Sequence, residues 1–149
     1  MYTLSADSYS KLATWVAYEV NPNNFGSSRN MDWKNNPSID NGYVLEPEDY
    51  EGAYEAFNVD IARFAPLATF SGSTFWYEAN YMSNISPFNS KLYRGAWKQL
   101  EQAVRDASSI EHPLYVLTGP AEFHVKSRKL PNAESPIYFL NRIIKLFMI

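Results

Sequence analysis

A chain of 149 residues that is 46% hydrophobic and 16% aromatic carries enough apolar side chain for one core, so a single domain over residues 1–149 is the expectation. It contains no cysteine, which excludes a disulfide framework, a thiolate nucleophile and a cysteine-ligated metal. A formal net charge of -3 argues against a protein held to polyanions by bulk charge, because such affinity comes from counterion release by Lys and Arg; a local basic groove stays compatible.

Met1 to Asp7 lacks the positive start and apolar run of a signal peptide, so a cytoplasmic location is expected unless a leader lies outside this sequence. Leu12 to Val20, with Trp15, Ala17 and the β-branched Val16 and Val20, predicts a strand that ends in the turn-forming Asn21-Pro22-Asn23-Asn24. From Asn21 to Asp49 the richness in Asn, Pro, Ser, Gly and Asp predicts a long irregular connection, a type of loop that more often carries function than not. Pro47 to Ala56 predicts a short helix with Glu46 near its start. The Asp60 segment follows, then a turn at Ser71-Gly72-Ser73 and a second strand near Asn80 to Asn84.

Pro87 as a stop and Asn89-Ser90 as a cap predict a helix from about Lys91 to Ala107, in which Trp97, Leu100 and Val104 recur at helical spacing. Leu114 to Thr118 predicts another strand, closed by Gly119-Pro120. Ile137 to Leu140 and Ile143 to Ile149 form an apolar run broken by Asn141 and Arg142. It is too short and too charged for a membrane span, and predicts one buried strand or a pair. Of two histidines, His112 sits before Pro113 in a turn and His124 follows the Gly119-Pro120 turn; no metal-ligand cluster, phosphate-binding Gly-rich loop or Ser-His-Asp pattern is present.

Three segments stand out: Val59-Asp60-Ile61-Ala62-Arg63-Phe64-Ala65-Pro66-Leu67-Ala68, Asn80-Tyr81-Met82-Ser83-Asn84-Ile85-Ser86-Pro87, and Tyr93-Arg94-Gly95-Ala96-Trp97-Lys98-Gln99-Leu100-Glu101. With Leu12 to Tyr18, Arg29-Asn30, Trp33-Lys34 and Tyr115 to Pro120, they resemble the DNA/RNA non-specific endonucleases of the ββα-metal superfamily. That family carries Asp-Arg-Gly-His followed by Ala-Pro, then Asn-[Ile/Met]-x-Pro, then Asn-x-Gly-x-Trp-x-x-Leu-Glu opening a helix. The resemblance implies an α+β, ββα-metal nuclease-like fold, with a central antiparallel sheet and a helix that carries the metal-site position. It also implies a chain that stops inside the full family fold, a Mg²⁺ cofactor, a DNA or RNA partner and secreted relatives.

Phosphodiester hydrolysis in such a family needs a general base to activate water and a divalent cation at the scissile phosphate. The position matching the family's base is Arg63, whose guanidinium has no acceptor lone pair but can grip a phosphate through its forked donors. Ile61 and Ala62 replace the Arg and Gly of the motif, and Tyr93 stands where the family has its metal-binding Asn; a neutral phenol is a poor ligand for Mg²⁺. Asp60 is retained and serves either a displaced metal or a structural hydrogen bond. Also retained are Arg29, which the resemblance assigns to phosphate binding, Asn84 as a further metal-site candidate, Glu101, assigned to the metal's water shell, and Trp97, read as core packing.

Candidate nucleic-acid contacts are Arg29, Arg63, Arg94, Lys98 and the group Lys126, Arg128 and Lys129. The resulting expectation is a catalytically impaired or inactive nuclease homologue that retains nucleic-acid binding. Two alternatives stay open: an active nuclease with a rearranged site built on Asp60, Asn84, Glu101 and His124, and a protein-binding decoy or inhibitor acting as a homodimer or on another protein partner.

Overall fold

The computed structural model describes residues 1–27, 29–121, 129–134 and 143–148. Strands β1 (Tyr2–Asp7) and β2 (Leu12–Val20) pair antiparallel with a register shift at Ser5/Ala6, and the alternation of β2 turns Val16, Tyr18 and Val20 inward. After the long connection, two short helical pieces precede β3 (Val59–Arg63): a 3₁₀ turn over Pro47–Tyr50 and α1 (Ala53–Phe57). The single helix expected over Pro47 to Ala56 is therefore split. Glu46 and Asp49 form a reciprocal capping box on the first piece, and Gly52 between the pieces takes a left-handed φ of 73° that no helix continues through.

Helix α2 (Leu67–Phe70) leads into the expected turn, and β4 (Ile85–Asn89) pairs antiparallel with β3. The strand expected at Asn80 to Asn84 thus lies five residues further on, and two tight 3₁₀ turns, Trp76–Asn80 and Met82–Asn84, stand on either side of Tyr81 there. Pro87 does not stop the strand. Phe64 N–H donates to Asn84 O at 3.0 Å, and alternation from that bond puts Ile61 and Pro87 at a non-hydrogen-bonded pair, where the missing N–H costs no ladder bond.

The helical run over residues 90–107 consists of α3 (Ser90–Leu92), a π-type turn (Tyr93–Trp97) kinked at Gly95, and α4 (Lys98–Ala107). Asn89 caps its start by accepting from Leu92 N–H at 3.2 Å. Trp97 and Val104 are buried as expected, but Leu100 is exposed. β3, β4 and this run form the strand–strand–helix unit that the resemblance implies.

β5 (Leu114–Pro120) pairs with β2, and β6 (Ile143–Met148) with β5, giving a four-stranded antiparallel sheet in the order β1-β2-β5-β6. Its inner face packs Val16, Tyr18, Val20, Leu114 and Val116 against Phe64, Phe70, Phe88, Trp97 and Val104. A second cluster holds Leu45, Tyr50, Val59, Met82, Ile85 and Leu130 together on the other side of the β3–β4 pair. β6 departs from the buried strand expected: Ile144, Leu146 and Met148 are exposed, and Lys145 takes an inward position opposite Thr118. Residues 137–142 lie outside the described residues. Among the described residues no helix is long and apolar enough to cross a membrane.

Candidate functional site

A cleft of about 410 Å³ gathers side chains from three distant parts of the sequence: Arg29 from the long connection, Arg63 from the end of β3, and Tyr93, Lys98, Glu101 and Arg105 from the helical run. Lys98, Glu101 and Arg105 share a helix face because they are spaced three and four residues apart. The connection is held to the rest by a close backbone crossing. Gly72 N–H donates to Asn24 O at 2.8 Å, and a Cβ on Gly26 would stand 2.7 Å from Gly72 N, so neither strand of the crossing tolerates a side chain. There Arg29 Nε donates to Ser71 O at 2.7 Å, and its guanidinium lies 5.4 Å from the Trp76 ring.

Arg63 is only 6% exposed, and two contacts fix its plane. Nη2 donates to Asn80 Oδ1 at 2.7 Å, and the guanidinium carbon sits 4.4 Å from the Trp33 ring centroid. Trp33 is brought there by a bridge between Lys34 and Tyr81, in which Lys34 N–H donates to Asn80 O at 3.1 Å and Met82 N–H to Lys34 O at 2.8 Å. Asn80 also donates to Asn30 O at 3.0 Å. Arg63 Nε is buried without a hydrogen-bond partner among the described residues. Burial draws the Arg63 pKa below its ordinary value, and the neighbouring Tyr93 and Glu101 oppose that shift. A guanidinium so placed offers donors and no acceptor, so it cannot take a proton from water.

Tyr93 packs edge-on against Phe88, and burial, then Glu101, pushes its phenol above the ordinary value, so it meets the cleft as a neutral hydroxyl. Burial also raises Glu101, with Lys145 and Arg105 pulling the other way. Lys145 Nζ stands 3.9 Å from Glu101 Oε1, donates to Tyr18 Oη at 3.0 Å and lies 4.4 Å from the Trp97 ring. With its side chain 1% exposed, burial pushes Lys145 down to about 8 from an ordinary 10.5.

Across that window the unfolded chain binds the extra proton, so stability rises with pH; below pH 8 the buried ammonium exerts its full cost. Denaturation midpoints are expected to climb between about pH 8 and 10, worth about 2 kcal/mol, and Lys145→Met should flatten that slope. An equally steep slope in the variant would contradict the assignment.

Asp60 and Asn84, both expected as metal-site candidates, are engaged with the protein itself. Asp60 is chelated by Arg94, with Nε and Nη2 each 2.7 Å from a carboxylate oxygen, and the Arg94 guanidinium stacks 5.0 Å from the Tyr54 ring. Neither Asp60 nor Arg94 lines the cleft. Asn84 is 0% exposed; its Oδ1 accepts from Ala65 N–H at 2.9 Å and its Nδ2 donates to Ala65 O and Ala79 O at 2.9 and 3.0 Å. Three of that amide's four hydrogen-bonding positions are taken up by backbone in a fully buried setting.

Sequence reasoning missed Arg105, detectable as the residue four beyond Glu101, and missed that Asn80 orients Arg63. Lys145 carried no sequence signal. Of the candidates near the chain's end, Lys129 is exposed, and His124, Lys126 and Arg128 lie outside the described residues.

The oxygen donors present do not fit Mg²⁺. Among the described residues the cleft's one carboxylate, Glu101, faces Lys145, the adjacent phenol is neutral, and Arg63 and Arg105 bring positive charge to the same space. Among the described residues no group of three or more His, Asp or Glu side chains is placed to hold a metal ion.

Comparison with known proteins gives a consistent picture. The family described as DNA/RNA non-specific endonuclease matches residues 1–141. A nuclease from Serratia marcescens is 36% identical over 154 residues, covering 94% of this chain and 56% of its own length. A nuclease from a Nostoc species is 28% identical over 122 residues, covering 80% of this chain and 43% of its own. The chain therefore spans about half the length of these curated relatives. A chain in the crystal structure of an EndoG/EndoGI complex superposes with a TM-score of 0.76 at 21% identity, covering 98% of this chain and 64% of that one, a likeness of fold.

Proposed function

The chain belongs to the DNA/RNA non-specific endonuclease family, and on that premise we propose that it is a catalytically impaired homologue, one that binds nucleic acid in the Arg63 cleft and does not hydrolyse it. The observation that carries this reading is Arg63 itself, buried and held by Asn80 and Trp33, at the position that the resemblance matches to the family's general base. The neutral Tyr93 at the metal-ligand position supports it further, since Mg²⁺ is the cofactor the resemblance implies and the donors here do not suit it. Asp60 and Asn84 are engaged with Arg94 and with backbone, which weighs against a rearranged active site built on them.

Arg29, Lys98 and Arg105 remain as cations around the same space, suited to phosphate oxygens of DNA or RNA. Mobility shifts with labelled oligonucleotides are expected to show binding that weakens as salt rises, with strands recovered uncut. Lys98→Ala should reduce the slope of log affinity against log salt by about 0.7–1, the loss of one phosphate contact. Binding indifferent to salt, or absent at low salt, would contradict the proposal.

A further inference from the structure

We propose that Arg63 takes the place of the divalent cation as well as of the base: with Arg29 and Arg105 it holds a phosphodiester oxyanion directly, so that nucleic acid binds this cleft without metal. The inference rests on the reading that the cleft takes a nucleic acid, and adds how the phosphate is held. Among the described residues that line it, four cations, Arg29, Arg63, Lys98 and Arg105, face one carboxylate, Glu101, in a chain whose net charge is -3. Glu101 already has Lys145 at 3.9 Å. That balance repels a second positive ion and attracts an anion.

Two buried guanidinium nitrogens make the attraction specific. Arg63 Nε and Arg105 Nη1 both lack a hydrogen-bond partner, although each residue has another nitrogen bonded, Arg63 Nη2 to Asn80 and Arg105 Nη2 to Gln102 Oε1 at 2.7 Å. Buried polar groups are normally satisfied; of the eight unpaired buried polar atoms among the described residues, these two donors are the ones on residues that line the cleft, and an anion bound there supplies the acceptor they lack. Stacking on Trp33 and the Asn80 bond hold the Arg63 fork in place before any ligand arrives, so little ordering is lost on binding. A phosphate oxyanion offers acceptors only, the complement of this lining.

The test is fluorescence anisotropy of a single-stranded oligonucleotide without terminal phosphate, titrated with the whole chain in EDTA and in excess Mg²⁺ at matched ionic strength. Dissociation constants are expected to agree within about twofold. Arg63→Gln should weaken binding by about 10–100-fold, and Arg63→Lys, which keeps the charge but not the fork, by less. Because Arg63 is buried, melting curves accompany these variants, and Arg105→Gln, at a less buried position, gives a second reading with the same expected direction.

A dissociation constant that rises tenfold or more in EDTA overturns metal-free binding and leaves the nucleic-acid reading standing. Unchanged affinity in a folded Arg63→Gln variant also overturns it. No binding in either buffer overturns both readings. Calorimetric binding of inorganic phosphate, with no binding of the oligonucleotide, would overturn a polynucleotide as the source of the anion.

Discussion

Arg63→His combined with Tyr93→Asn is expected to give a chain that nicks plasmid DNA in Mg²⁺ at least about 100-fold faster than the unmodified one, whose rate should match buffer alone. The first substitution supplies a side chain able to accept a proton near neutral pH, and the second an amide oxygen where a neutral phenol now stands. General-base catalysis alone contributes about 10²–10⁴-fold, and a divalent cation adds its own stabilisation of the developing charge. Because the two groups act on one transition state, either substitution alone should recover far less than the pair. Glu101 is already in the cleft and needs no change. Supercoiled plasmid followed on gels over time gives the rates; an unmodified chain that cuts as fast as the double variant would contradict the expectation.

Asn84→Ala is expected to destabilise the fold by about 3–6 kcal/mol. Its amide satisfies Ala65 N–H, Ala65 O and Ala79 O in a fully buried setting, and leaving each of them unpaired costs about 1–3 kcal/mol. Against a typical domain stability of about 5–15 kcal/mol, that places the variant near unfolding at room temperature. The reason such an amide is needed lies in the path of the chain. Residues 64–66 leave β3 and enter α2, with no ladder to satisfy their backbone beyond the Phe64–Asn84 bond. Urea denaturation midpoints measure the effect, and a loss under about 1 kcal/mol would show that water can replace the side chain.

Where periodicity and chain breakers agree, the fold was readable from the amino acids. β2 and β5 alternate inward and outward residues, and Asn89 announces the helical run with a cap. β1 went unread, since its single Leu4 gives little alternation and its partner β2 supplies most of the buried surface. β4 was placed too early because Pro87 reads as a stop unless one knows that its nitrogen faces away from the partner strand. β6 looked buried because its run is apolar, but only one face of an edge strand meets a core, and that face holds Lys145.

The site was legible as a set of positions and illegible as a set of contacts. Motif spacing found Arg29, Arg63, Tyr93, Lys98 and Glu101, which share the cleft. The same spacing could not distinguish an asparagine that binds metal from one that pins backbone, nor foresee that Arg94 would engage Asp60, 34 residues earlier. Lys145 reaches Glu101 only through the register of β6 on β5.

The most direct test of the claim that a guanidinium occupies the slot for proton abstraction is a single-turnover time course with the unmodified chain. An end-labelled oligonucleotide saturated with protein is incubated in excess Mn²⁺ or Mg²⁺ and resolved on a denaturing gel. The full-length strand is expected to persist as long as it does without protein. Products that form with the unmodified chain, vanish with chelator and vanish again in Glu101→Gln would contradict that claim.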